Sequence, residues 1–123
     1  MLSGERLLIV EEEFLIALDI QRVLEDAHAL RAVFARNYKE LAALEPRFGE
    51  FDLAIMTPPR PGTSDQAITD RLAKSGPAIV VCSATPPNLA GTALDGSEIV
   101  RKPFSDDELL SACRRALAKR NPA

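Results

Sequence analysis

The sequence predicts a doubly wound α/β fold, a five-stranded parallel sheet of order 2-1-3-4-5 with helices on both faces. Short apolar runs without polar alternation, Leu7-Leu8-Ile9-Val10, Leu53-Ala54-Ile55-Met56 and Ala78-Ile79-Val80-Val81-Cys82, mark strands buried on both faces. Between them the apolar period lengthens to that of helices. Strands and helices alternating on short connections leave a parallel sheet as the simplest architecture.

The elements follow in order. After the first strand, Glu11-Glu12-Glu13 sits at its carboxyl end. Phe14 to Ala27 is helical in pattern, with Ile16, Ile20, Val23, Leu24 and Ala27 on one stripe. Ala29 to Ala35 is a weaker second strand. Asn37 caps a helix with Leu41 and Leu44 on its apolar side, and Pro46 stops it. A loop around Phe48-Gly49-Glu50 leads to the third strand, Leu53 to Met56. There Pro58-Pro59-Arg60-Pro61-Gly62 forces the chain out of the core at Thr57.

Ser64 to Lys74 forms the next helix on Ala67, Ile68 and Leu72, and Ser75-Gly76-Pro77 ends it. The fourth strand runs from Ala78 to Cys82, followed by Ser83. Pro86 to Gly96 has room for one helical turn between Asn88 and Leu94, but its prolines and glycines favour a loop. Glu98-Ile99-Val100 is a short last strand. Ser105 and Glu108 then form a capping box for a final helix whose core stripe is Leu109, Leu110, Cys113, Ala116 and Leu117. Asp52 falls at the far end of the third strand and Asp65 at a helix start, both structural positions.

A chain of 123 residues supports one compact domain, and a composition 46% hydrophobic and 27% charged is ordinary for a globular protein. A net charge of -3 gives nucleic acid no electrostatic footing. Cys82 and Cys113 make neither a metal spacing nor a disulfide framework, which fits a reducing compartment. The apolar run near the N-terminus is too short for a signal peptide, and no segment approaches a membrane span. The expectation is a cytoplasmic protein with no membrane partner.

In sheets of this order, ligands gather at the carboxyl edge, where the first and third strands lie side by side. Glu11, Glu12 and Thr57 are expected to converge there, joined by Cys82 with Ser83 and by Lys102 from the fourth and fifth strands. Singly, each is an ordinary solvated or buried loop residue. Four groups on four strand ends form a constellation.

The blocks LLIVEEEFLIALDIQRVLEDA, DLAIMTPPRPG, PAIVVCSA and IVRKPFSDDEL, in that order, resemble the signature blocks of response-regulator receiver domains. The resemblance covers nearly the whole chain and implies a single receiver-like domain over residues 1–123 with a flavodoxin-like fold. It also implies a role in two-component or phosphorelay signal transduction. In that family an acid pair after the first strand holds Mg²⁺, and an aspartate ending the third strand accepts a phosphoryl group from a histidine kinase. A Ser/Thr after the fourth strand and a lysine after the fifth contact the phosphoryl oxygens. By motif, Glu11 and Glu12 match the acid pair and metal ligands, Lys102 the lysine and Pro61 the loop proline. Thr57 stands at the phosphoacceptor position.

The departures from that pattern alter the implied chemistry. A threonine hydroxyl is not ionised near neutral pH and needs a base to attack. Losing a carboxylate weakens a Mg²⁺ site, and the longer arm of Glu12, where the family more often has Asp, crowds it. Cys82 falls at the Ser/Thr switch position with Ser83 one place later, and a thiol donates poorly to phosphate. Ile99 replaces the aromatic switch residue. The reading is a stand-alone, non-enzymatic pseudo-receiver, without aspartyl phosphorylation and with weak or absent Mg²⁺. Lys102 is expected to pair permanently with Glu11 or Glu12. Output would pass through a protein partner, a histidine kinase or a signalling output protein, and homodimerisation is a habit of the family.

Two other readings remain open from sequence. One keeps phosphorylation, at Thr57 or a non-standard site. The other is a flavodoxin-like cofactor binder, which the three acids after the first strand oppose because phosphates favour Gly, Ser or Thr amides there.

Overall fold

The structure is a computed structural model that describes residue 2 and residues 4–29, 31–60 and 62–120. Its sheet is parallel, with order β2-β1-β3-β4-β5. The strands are β1 (Arg6–Val10), β2 (Arg31–Ala35), β3 (Leu53–Met56), β4 (Ala78–Ser83) and β5 (Glu98–Arg101). The helices are α1 (Phe14–Asp26), α2 (Tyr38–Ala43), α3 (Ser64–Lys74) and α4 (Asp106–Arg120). This is the doubly wound architecture expected from the apolar runs.

The uninterrupted runs occupy the centre because strands covered on both faces need apolar side chains in both directions. Leu7, Ile9, Leu53, Ile55, Val80 and Cys82 face a core shared with α1 and α4. Leu8, Val10, Ala54, Met56, Ile79 and Val81 face a second core under α2 and α3. The helix stripes fill these cores: Ile20, Val23 and Leu24 of α1, and Leu109, Ala112, Cys113 and Ala116 of α4, are buried. Ala112 lies outside the expected α4 stripe, whereas Leu110 and Leu117 are only partly buried.

Local signals set the helix ends. Asn37 accepts the Glu40 N–H at 2.8 Å and starts α2. Thr63 caps α3 by accepting the Asp65 N–H at 3.2 Å. Ser105 and Glu108 form both bonds of a capping box, at 3.1 and 3.0 Å. α1 closes through Ala29 N–H to the Leu24 carbonyl (2.9 Å) and His28 N–H to Glu25 (3.0 Å). That is a Schellman motif in which His28, not glycine, adopts the left-handed conformation at φ 78°.

Three boundaries differ from expectation. β2 starts at Arg31 instead of Ala29, because the Ala29 amide is used to close α1. Glu45–Glu50 forms a 3₁₀ helix where a loop was expected; Pro46 lies in its first turn and Phe48 buries its ring in the second core. β4 runs through Ser83, which pairs with Arg101. The link from β4 to β5 contains turns and no α-helix, yet it buries Leu89 and Leu94 in the second core.

Candidate functional site

One further ladder bond holds each edge residue just beyond its strand. Glu11 N–H donates to Ala35 O at 3.1 Å, Thr57 N–H to Val10 O at 3.1 Å, and Lys102 N–H to Ser83 O at 3.0 Å. These bonds fix where the first, third and fifth strands release the chain. The period of two does the rest. Leu7 and Ile9 face the α1/α4 core, so Glu11 follows them, and Lys102 follows Val100 on the same side.

Lys102 reaches across the ends of β4 and β3 and donates to Glu11 Oε1. The pair is well covered: side-chain exposure is 2% for Glu11 and 17% for Lys102. Glu11 Oε2 accepts the Glu13 N–H at 3.2 Å, so both carboxylate oxygens are engaged. Cys82 lies close enough to feel both charges. Burial pushes its thiol up to about 12, with Lys102 opposing the rise and Glu11 adding to it. A protonated, buried thiol is poorly suited to nucleophilic chemistry at neutral pH.

The remaining expected residues separate from this pair. Glu12 is exposed and lines a cavity on the α2/α3 side together with Thr57. The two acids therefore divide: Glu11 turns to Lys102, and Glu12 to the other side of the edge. Ser83 is buried and turns its hydroxyl to the Thr85 carbonyl. Ile99, on β5, is 44% exposed. Pro61 lies outside the described residues. Asp65 accepts Arg60 Nε at 3.3 Å beside the α3 cap, and Asp52 binds Arg6 N–H at 2.9 Å at the opposite edge of the sheet.

Tyr38 is the contact that sequence reasoning missed. Its phenol donates to the Thr57 carbonyl at 2.6 Å, tying the start of α2 to the turn after β3. Burial pushes that phenol up to about 12, so it remains a donor across the neutral range. The available signal was position: Tyr38 directly follows a predicted cap at the carboxyl end of the second strand.

Mg²⁺ is the ion that the receiver resemblance implies, and hard-cation sites are built from converging oxygens. Here one carboxylate is committed to an ammonium and an amide, the second is exposed on another side, and the third position carries a threonine. Among the described residues, no group of three or more His, Cys, Asp or Glu side chains is arranged to hold a metal. The residues do not fit the ion. Among the described residues, no helix is long and apolar enough to cross a membrane.

No family model matches this chain. No curated protein matches it. Solved structures do. The signal receiver domain of an HD domain-containing protein from Pseudomonas fluorescens superposes with a TM-score of 0.77 at 20% identity, over 98% of this chain and 91% of that one. The chemotaxis response regulator CheY4 of Vibrio cholerae gives 0.73 at 20% identity, over 94% and 100%. The response regulator PhyR from Brucella abortus gives 0.72 at 23% identity, over 94% of this chain and 48% of that one. The chain thus spans about half the length of the Brucella protein. Pairing, sheet order and these superpositions agree: the chain has the fold of response-regulator receiver domains.

Proposed function

We propose that this chain is a degenerate receiver of two-component or phosphorelay signalling that works by protein–protein contact and carries no aspartyl phosphate. The observation that supports this reading most directly is the covered Lys102–Glu11 pair beside a strand end that carries Thr57. A lysine held by a carboxylate does not wait for a phosphoryl group. A threonine hydroxyl lacks the charge that makes an aspartate a nucleophile, and its phosphate would be a stable ester unsuited to rapid switching. Mg²⁺ binding is correspondingly weak, and the chain is not an enzyme.

On this reading the partner is a protein, either a histidine kinase or a signalling output protein. The test is incubation with a small acyl-phosphate donor or a phosphorylated histidine kinase, followed by intact mass measurement. The unmodified mass is expected. A gain of one phosphoryl group that hydroxylamine removes would overturn the proposal. Thr57→Asp is the companion: labelling at the new aspartate would show that the rest of the pocket still supports transfer.

A further inference from the structure

The carboxyl edge has a second side, away from the Lys102–Glu11 pair, which Thr57 and Glu12 also line. Between α2 and α3, beside the point where the strand order reverses, lies a cavity of about 780 Å³. That falls inside the ~300–1,000 Å³ range of small-molecule sites, at the place where open α/β sheets collect ligands. Ala42 and Pro58 give it an accessible apolar wall, and Val10 and Ile68, both almost fully buried, also border it. Arg36, Lys39, Arg60 and Arg71 bring positive charge to it from three different segments.

The arginines are poised in a particular way. Arg60 gives its Nε to Asp65 at 3.3 Å, and Arg71 gives its Nε to Glu45 at 2.7 Å. A guanidinium has five N–H donors, so a bond through Nε steadies the stem and leaves the terminal nitrogens to donate elsewhere. Arg36 is tied more fully, through both Nε and Nη2, to Glu40. Lining acids number fewer: Glu12 and Asp65.

The acids after the first strand argued against a phosphate ligand. The structure weakens that objection. Glu11 is neutralised by Lys102, and Glu13 lines a different cavity on the α1 side. Only Glu12 of the three faces this one.

We propose that this cavity binds a nucleoside phosphate non-covalently, its ring system against Ala42 and Pro58 and its phosphate at Arg60 and Arg71. An apolar wall and an arginine rim suit the two halves of such a ligand, an apolar body and an anionic end. The Lys102–Glu11 pair lies outside this cavity, whereas Thr57 and Glu12 help to line it.

The experiment uses the full chain in EDTA with AMP, ADP, GMP and GDP, read by thermal unfolding and titration calorimetry, with pyrophosphate as the ring-free control. At least one nucleotide is expected to bind saturably and raise the midpoint, with pyrophosphate giving a smaller shift. Arg60 and Arg71 have exposed side chains in surface ion pairs, so the Arg60→Ala/Arg71→Ala chain is expected to fold. It is expected to bind that nucleotide about tenfold more weakly or worse, since two charge-assisted bonds are lost. Glu12→Gln is expected to tighten binding. The proposal is overturned if none of the four nucleotides stabilises the chain, if the double variant binds unchanged, or if pyrophosphate reproduces the whole shift.

Discussion

Lys102 and Glu11 form an ion pair over the ends of the two strands that separate them, and each is largely withdrawn from water. A buried pair of this kind contributes little net stability against apolar replacements, but removing one member strands the other. Lys102→Met is therefore expected to cost about 3 kcal/mol in urea unfolding, because it leaves the covered Glu11 carboxyl without its partner. The Glu11→Leu/Lys102→Met chain is expected to recover most of that loss. A double variant no more stable than the single one would show that the pair carries no coupling.

His28 holds a left-handed backbone that a Cβ disfavours, at a helix C-terminal position where glycine is the usual choice. The conformation costs a non-glycine residue about 1 kcal/mol. His28→Gly relieves that strain and, net of the extra chain entropy glycine brings, is expected to raise stability by about 0.5 kcal/mol or less. His28→Ala retains the strain and is expected to show no gain. Equal midpoints for the glycine and alanine variants would contradict this account.

Glu98 at the start of β5 accepts from Lys119 and, at 2.6 Å, from Arg115, pinning the last turns of α4 to the sheet. The Lys119 bond, then the Arg115 bond, hold its carboxyl below the ordinary value of 4.5 against the opposing effect of burial. The sign follows from linkage: a depressed folded value means the unfolded chain takes up the proton first as pH falls. The stabilisation is present above 4.5 and disappears as pH drops through the lowered folded value. Glu98→Gln is expected to be less stable than the parent at neutral pH, with the gap narrowing below that range. A gap independent of pH in urea titrations would refute it.

The strands and caps were readable from sequence because their causes are local. A short apolar run with no alternation, bounded by turn residues, suits a strand covered on both faces, and Ser105 and Glu108 carry their capping geometry in their spacing. The site was readable in outline and not in its division. Glu11 and Glu12 are neighbours in sequence, so nothing but the strand's period of two distinguishes them. That period sends only Glu11 to the side where Lys102 lies. Tyr38 and the arginines of the α2/α3 cavity were missed because they meet only through the crossovers, at separations a local pattern does not contain.

The link between β4 and β5 shows the same limit and supplies a sharp test. Its prolines and glycines were read correctly as loop chemistry, which ordinarily implies tolerance to substitution. Yet Leu94 is 0% exposed and packs in the core under α2 and α3, where a crossover helix would otherwise supply side chains. Around it Thr92 N–H donates to Leu89 O at 3.1 Å and Ser97 N–H to Leu94 O at 2.9 Å, so the turns hold the leucines in place. Leu94→Ala is expected to cost about 3 kcal/mol, as for a leucine in a regular core element, because the fixed turns cannot collapse into the cavity. Ile99→Ala, in a regular strand but 44% exposed, is expected to cost under about 1 kcal/mol. If urea unfolding ranks the strand residue above the loop residue, the link is a tether and not part of the core.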